Sequence, residues 1–343
     1  MSSFGEGCSR ADSAKLVKRL QEHCERTLWR AGRKYQVKKS ERFSERLVQR
    51  VNELYHDLTY EQYASVHPEI FEREKERWRR ITRQFLNHAQ PITVLDVGTG
   101  TGFVPNTIAR LLGRDDIFIC SDISKCMLSA AKKDLVGRKL PCKFRFVKIR
   151  SHVPYQLPFE TAAVDMVTMN SVLHHVQETD AFLREIDRVL KPNGLLLIGH
   201  EPNKHFYRNA FLRSTRAILR TGYYLIRQME NGDLPSVRQE FIRINCTLMD
   251  EKLVNKPLSS GDITRIVDIR SEQGFAPESL CRRTHATYEL LYVETYNHLF
   301  GIIAEQLSNR LTRKCDNLLR RRFPKHGRLF FVVLRKSANA YEP

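Results

Sequence analysis

The sequence predicts an α/β fold, a mainly parallel sheet of seven strands with helices on both faces, and three observations carry that expectation. Apolar runs of strand length alternate with amphipathic helical stretches from Thr93 to about residue 202. The first of these runs, TVLDV, passes straight into a glycine turn, GTGTG. Two more strand-like segments, YELLYVETYNHLF and GRLFFVVLRK, close the chain. Strands joined by helices make right-handed crossovers, which leave the strands' carboxyl ends on one rim, and a ligand is expected there.

Residues 1–90 are expected to form a helical N-terminal extension, a cap. Leu16, Leu20, Leu28, Leu47, Val51 and Leu54 recur at helical or heptad-like spacing. In EIFEREKERWRRITRQFLNHA, Phe71, Trp78, Ile81 and Phe85 fall near one face. The core is expected over 91–202. There TVLDV is followed by a helix at FVPNTIARLL, a strand at DIFICSD, a helix at SKCMLSAAKKDL and strands at FRFVKI and VDMVTMN. A helix, TDAFLREIDRVL, with Thr179 as its cap, and a fifth strand, LLLIGH, after the turn KPNG complete it. Residues 203–287 interrupt the alternation for too long to be a simple loop and are expected to be a helical insert or lid. Residues 288–343 return as strand, helix and strand to complete the sheet.

Composition narrows the class further. The chain has 343 residues, 41% hydrophobic and 28% charged, as in a soluble globular protein. No apolar run approaches the roughly 20 residues of a membrane-spanning helix, and the start has no secretory pattern, so a cytoplasmic location is expected. Eight cysteines show no C-x-x-C and no close Cys/His cluster, so no metal is expected. The net charge is +18, with 24 Lys/Arg against 15 Asp/Glu in residues 201–343. Such a field favours anionic partners, RNA or an anionic membrane surface among them, without specifying one.

The glycine turn separates two kinds of nucleotide site. A dinucleotide fingerprint places its third glycine at the sixth position, which from Gly98 is Phe103. Here the spacing is Gly98, Gly100, Gly102, and Asp96 precedes it. A buried anion repels a pyrophosphate and attracts an ammonium. S-adenosylmethionine fits: it carries an ammonium, a sulfonium, two free ribose hydroxyls and no phosphate. Asp122, ending the second strand, is placed to accept from both hydroxyls. Each acid has an ordinary alternative as a helix cap.

Five segments in order carry a family resemblance. VLDVGTGTG, ICSDIS, LPF at 157–159, DMVTMNSVLHHV at 165–176 and RVLKPNGLLLI at 188–198 resemble the motifs of class I S-adenosylmethionine-dependent methyltransferases, over about a third of the chain. The resemblance implies a Rossmann-like core with S-adenosyl-L-methionine as cofactor, bound by Asp96, Gly98, Thr99, Gly100, Gly102, Asp122, Ile123 and Asn170. Family members often bind the adenine amino group with an Asp after the third strand. This chain has Arg150 and Ser151 there, leaving backbone carbonyls or Ser151 for that task. Tyr60 and Tyr63 resemble aromatic residues that close over the cofactor in related enzymes, with core packing the other reading.

Methyl transfer by in-line displacement asks the protein to align a nucleophile and, where required, take its proton. His174 and His200 are the expected candidates because they follow the fourth and fifth strands, although a histidine there also packs against a cofactor. In AFLRSTRAILRTGYYLIRQ, Arg213, Arg220 and Arg227 recur every seven residues opposite an apolar side, with Arg216 beside them. That two-faced helix suits a lid, an interfacial helix on anionic lipid, or, with RRRFPKHGR at 320–328, a nucleic-acid surface. The leading expectation is methyl transfer to a small-molecule or lipid-like acceptor. The alternatives are an RNA (tRNA or rRNA) methyltransferase and a non-catalytic cofactor-binding scaffold.

Overall fold

The structure is a computed structural model that describes residues 43–66, 72–86, 90–215, 237–271, 273–282, 288–298 and 310–338. Leu16, Leu20, Leu28, Phe71, Arg216, Arg220 and Arg227, and with them most of the two-faced helix, lie outside the described residues. Among the described residues no helix is long and apolar enough to cross a membrane.

Seven strands form one sheet: β1 (Thr93–Val97), β2 (Ile117–Asp122), β3 (Lys143–Lys148), β4 (Val164–Asn170), β5 (Leu190–Pro202), β6 (Tyr288–Tyr296) and β7 (Leu329–Lys336), in the order β3-β2-β1-β4-β5-β7-β6. β1, β2, β3, β4 and β5 pair in parallel, and β7 runs antiparallel to both β5 and β6. The order reverses between β1 and β4, the point at which an open α/β sheet leaves a crevice.

Alternation along the buried strands feeds two cores. Leu95, Val97, Val167 and Met169 pack on one face against Phe182 and Ile186 of α5 (Thr179–Val189). Val94, Phe118 and Met166 pack on the other with α3 (Phe103–Ile108) and α4 (Lys125–Val136), joined by Trp78 and Ile81 of α2 (Glu72–Phe85). A third cluster joins the expected cap to the expected insert. Leu47, Val48 and Val51 of α1 (Glu45–Val66) pack on Ile244 and Leu248 of α7 (Val237–Asp250) and on Ile263 and Ile266 of α8 (Ser260–Val267). Between them in sequence lies the short α6 (Lys204–Arg208), and α9 (Arg310–Arg322) precedes β7.

Three local expectations change. The helix after the glycines is α-helical only over Phe103–Ile108 and ends as a 3-10 turn, Ala109–Leu111. Thr179 does not cap α5: it is the first helical residue and its hydroxyl donates to the Val176 carbonyl at 3.2 Å. β5 begins at Leu190, taking in the expected KPNG turn, where Asn193 holds φ at 62°.

Candidate functional site

The carboxyl ends of β1, β2 and β4 open into a cleft lined by Gly98, Gly100, Asp122, Ile123 and Asn170 from the rim. The turn after β4 adds Ser171, Val172 and His175, and one face of α1 adds Gln49, Asn52 and His56. Those three α1 residues are spaced i, i+3, i+7, the spacing of one helical face.

The glycine turn owes its shape to positive φ: 70° at Gly98, 56° at Gly100 and 96° at Gly102. A Cβ on Gly98 would stand 2.5 Å from Val172 Cγ2, whereas one on Gly100 would meet nothing within 4 Å. Gly100 thus fronts open space in the cleft. Gly98→Ala is therefore expected to lower both thermal stability and cofactor affinity. Gly100→Ala should cost only about 1 kcal/mol of backbone strain while weakening binding at least as much. Thermal melts paired with calorimetry on the two variants check the contrast.

Thr99 stitches the turn to β2. Its N–H donates to the Ser121 carbonyl at 2.9 Å, and its hydroxyl accepts from the Ser121 N–H at 3.1 Å. Gly102 sits at the N-cap of α3. Asp122 Oδ2 accepts from the Gly100 N–H at 2.7 Å and Oδ1 from the Ser124 N–H at 2.8 Å. Burial pushes its pKa up to about 6, against those two N–H groups, with Asp57 adding to the rise.

Asp96 is 1% exposed. Its Oδ1 accepts from the Thr168 hydroxyl at 2.7 Å, and its Oδ2 has no hydrogen-bond partner among the described residues. Burial drives its pKa up to about 7, with the Thr168 and Thr99 hydroxyls opposing and Asp122 adding to it. A buried oxygen of this kind costs stability unless a donor reaches it. An ammonium is such a donor, and a pyrophosphate is not. The orphaned Asp96 oxygen, one residue behind the cleft-lining Val97 and not itself part of the lining, and the open side of Gly100 fit S-adenosylmethionine. Asn170, also on the rim, accepts at Oδ1 from Trp78 Nε1 at 2.9 Å.

The histidines separate. His175 lines the cleft, its Nδ1 2.5 Å from the Val267 carbonyl, a contact that places the proton on Nδ1 and the lone pair on Nε2. Burial and the adjacent His174 push its pKa down to about 4. His174 is turned away: its Nδ1 lies 2.9 Å from Glu201 Oε2 and its Nε2 3.8 Å from Asp268 Oδ1. Burial opposes charge on His174, but Glu201 outweighs it and its pKa rises. The expectation that His174 takes a proton from an acceptor therefore loses its geometric basis, because its ring is held by two carboxylates.

His200 moves further away. It sits at a register shift between Gly199 and Glu201 with φ 58°, a bulge that re-aims its side chain. Its Nδ1 lies 3.7 Å from Glu74 Oε1 of α2 and its ring 6.4 Å from that of Tyr296. It does not line the cleft, so the base role expected of it has no support from its placement.

Tyr60 donates to Glu61 at 2.8 Å on an outer groove beside Lys125 and Cys126, and does not line the cleft; the Tyr63 side chain lies outside the described residues. Ser151 reaches Glu53 at 3.5 Å, while Arg150 and Gln156 line the cleft.

His174, His175 and Asp268 place three potential ligand atoms within 4.8 Å of one another, a grouping the cysteine and histidine spacing did not foretell. Two ring nitrogens of these histidines are already engaged, His175 Nδ1 with the Val267 carbonyl and His174 Nδ1 with Glu201.

α1 is fastened over the cleft. Asp57 accepts from the Ser124 hydroxyl at 2.6 Å and the Cys126 N–H at 3.0 Å, Glu53 pairs with Lys148 at 2.6 Å, and Glu45 accepts from Tyr155.

Comparison with known proteins bears on this site. Residues 95–198 match the sequence model of a methyltransferase domain. Over 121 residues the chain is 32% identical to the ubiquinone/menaquinone biosynthesis C-methyltransferase UbiE of Cellvibrio japonicus, covering 35% of this chain and 47% of that protein. It is 33% identical to the protein of the same name from Pseudomonas putida (strain F1), covering 35% and 46%. The chain spans about half the length of these curated relatives. Among solved structures, an S-adenosylmethionine-dependent methyltransferase from Aquifex aeolicus is 17% identical, covers 79% of this chain and 92% of that one, and gives a TM-score of 0.37, too loose a likeness to bear on function.

Proposed function

We propose, from the premise that residues 95–198 form a class I S-adenosylmethionine-dependent methyltransferase domain, that this protein transfers the methyl group of that cofactor to a small or lipid-like acceptor. The observation that carries the reading is the pair of buried carboxylates, Asp96 and Asp122, around a glycine turn that fronts open space. A site so charged suits a cationic, phosphate-free nucleoside.

S-adenosylmethionine, when bound, supplies a methyl group activated by a sulfonium. The chain's part is to hold, orient and exclude water. Asp122 would accept from the ribose hydroxyls, and Asp96 Oδ2 would face the ammonium. Gly98, Thr99, Gly100 and Gly102 would give the backbone close approach, Ile123 would cover the nucleoside, and Asn170 would donate from its NH2 group. Gln49, Asn52 and His56 would close the cleft from α1, in place of the tyrosines one to two turns further on.

His175 would orient the acceptor. With its Nδ1 proton held by Val267, and with burial and the adjacent His174 disfavouring its charged form, it offers Nε2 as a hydrogen-bond acceptor. That suits it to aligning a hydroxyl rather than keeping a proton. The relatives' printed activity, C-methylation in quinone biosynthesis, supports a ring-bearing, lipid-like acceptor.

Calorimetry and methyl-label transfer test the reading. S-adenosylmethionine and its demethylated product should bind while NAD and ATP do not, and label should pass into solvent-extractable small molecules in a tissue or cell extract. His175→Gln should cut turnover while leaving cofactor affinity nearly unchanged. Label entering RNA instead, or firm binding of NAD in place of the cofactor, would overturn the proposal.

A further inference from the structure

One contact at the rim determines which way a cleft-lining side chain is turned. Trp78 of α2 is fully buried, and its Nε1–H donates to Asn170 Oδ1 at 2.9 Å. An indole nitrogen is a donor and never an acceptor, so of the two ends of the Asn170 amide the oxygen must be the one that meets it. The Nδ2 group is left over. It donates to no atom among the described residues, and Asn170 is half-buried and lines the cleft.

The indole is itself held. Gly199 of β5 stands beside Asn170 in the register of β4 with β5, and a Cβ there would lie 3.0 Å from Trp78 Cζ2 and 2.9 Å from Phe331 Cδ2. The missing side chain is what lets the indole come up to the rim. Phe331 packs edge-on against it, with ring centroids 4.7 Å apart. At this level α2 is anchored by Glu74, which accepts from the Tyr296 hydroxyl at 3.1 Å, and by Arg77, whose guanidinium sits 3.5 Å from the centre of the same ring.

Asn170 also shares a sheet face with the orphaned acid. Asp96 of β1 pairs in register with Thr168 of β4, whose hydroxyl donates to it, and side chains two residues apart on a strand leave by the same face. Asn170 is one such step, about 7 Å, nearer the rim. An amino-acid tail bears its carboxylate on the carbon that carries its ammonium. With the ammonium against Asp96, a donor at that remove meets the carboxylate.

We propose that Trp78 is a positioning residue: by holding Oδ1 it turns the Asn170 amide so that its NH2 group faces the cleft and donates to the carboxylate of the cofactor's methionyl tail. The proposal rests on the S-adenosylmethionine reading above. Without the indole either end of the amide is free to face a ligand, and the carbonyl end repels a carboxylate.

Calorimetry with S-adenosylhomocysteine and its decarboxylated analogue, which lacks that carboxylate alone, tests the assignment. Asn170→Ala should bind S-adenosylhomocysteine about tenfold more weakly than wild type and the analogue nearly as well, since a hydrogen bond to a charged group contributes at least that much. Trp78→Phe keeps a ring in the core and removes the N–H. It should lose several-fold of the same discrimination, and the double variant should lose no more than Asn170→Ala alone. A Trp78 that serves packing alone would weaken both ligands alike and add its loss to that of Asn170→Ala, a result that overturns the proposal. A spectroscopic readout leaves both residues in place and so does not depend on how well Trp78→Phe folds. The chain has two tryptophans, Trp29 and Trp78, so in isotope-labelled Trp29→Phe protein the indole N–H resonance is that of Trp78. An NH2 group bonded to a carboxylate polarises its own amide carbonyl, so S-adenosylhomocysteine should move that resonance further than the analogue does. Equal shifts overturn the proposal. Wild-type protein that binds the two ligands equally overturns it and leaves the cofactor reading standing, whereas wild-type protein that binds neither overturns both.

Discussion

Asp122→Ala is expected to weaken S-adenosylmethionine binding by at least about a hundredfold, since two hydrogen bonds to a charged group contribute about 1.5–3 kcal/mol each. The carboxylate already serves the Gly100 and Ser124 N–H groups, one on each oxygen. An ionised carboxylate offers about four lone-pair sites, so one remains on each oxygen for the two ribose hydroxyls. The same variant loosens the glycine turn, and a second ligand separates the two effects. Wild-type protein should bind an S-adenosylhomocysteine analogue lacking the 2′-hydroxyl about tenfold more weakly than the parent, while Asp122→Ala should not distinguish them. Equal discrimination by both proteins would remove Asp122 from ribose recognition.

Proton linkage gives the same site a pH signature. Asp96 and Asp122 hold their protons to about pH 7 and 6, against an ordinary carboxyl value near 4. Between about pH 4 and 7 the folded state binds more protons than the unfolded state at these two groups, so their contribution to stability falls as pH rises. A cation and hydroxyl donors favour the ionised forms, so cofactor binding should release protons near pH 6.5 and almost none above pH 8. Calorimetry in two buffers of different ionisation enthalpy reads that number directly.

Asp122 and the glycines were legible because their spacing and position after a strand are properties of a short stretch of chain. The choice among histidines was not. His174 and His175 are neighbours in one 3-10 turn, and which of them faces the cleft is decided by Glu201 and Val267, remote in sequence. The displacement of His200 depends on a bulge that hydropathy does not mark. On α1 the row Gln49, Asn52, His56 was a visible signal, polar residues on a helical face beside Leu47, Val48 and Val51. The rotation that aims it at the cleft is fixed by contacts with α7, α8 and Ser124. Strand existence was readable from apolar runs, but the reversed direction of β7 was not, because a buried strand has the same pattern either way.

Glu201→Ala should be the most destabilising single change near the site. The side chain is fully buried, and its Oε1 accepts from the Val172 and Leu173 N–H groups at 2.6 and 2.8 Å. Oε2 accepts from the His174 N–H at 3.2 Å and takes the Nδ1 contact of the same residue. Alanine leaves three backbone donors without a partner in the turn that walls the cleft, at a cost of about 3–5 kcal/mol, or a fall in Tm of about 4–7 °C. Glu201→Gln should cost less. One oxygen still serves Val172 and Leu173, but the new NH2 group confronts the His174 N–H and drives the imidazole to accept at Nδ1. That substitution also removes the carboxylate that raises the His174 pKa. In the wild type the raised value contributes stability that is complete below about pH 6.5, the unfolded value, and is lost as pH climbs through the folded one. The stability gap between wild type and Glu201→Gln should therefore be wider at pH 5.5 than at pH 8.5. A gap that does not change with pH, measured by urea unfolding at the two values, would show that Glu201 acts on the backbone donors alone.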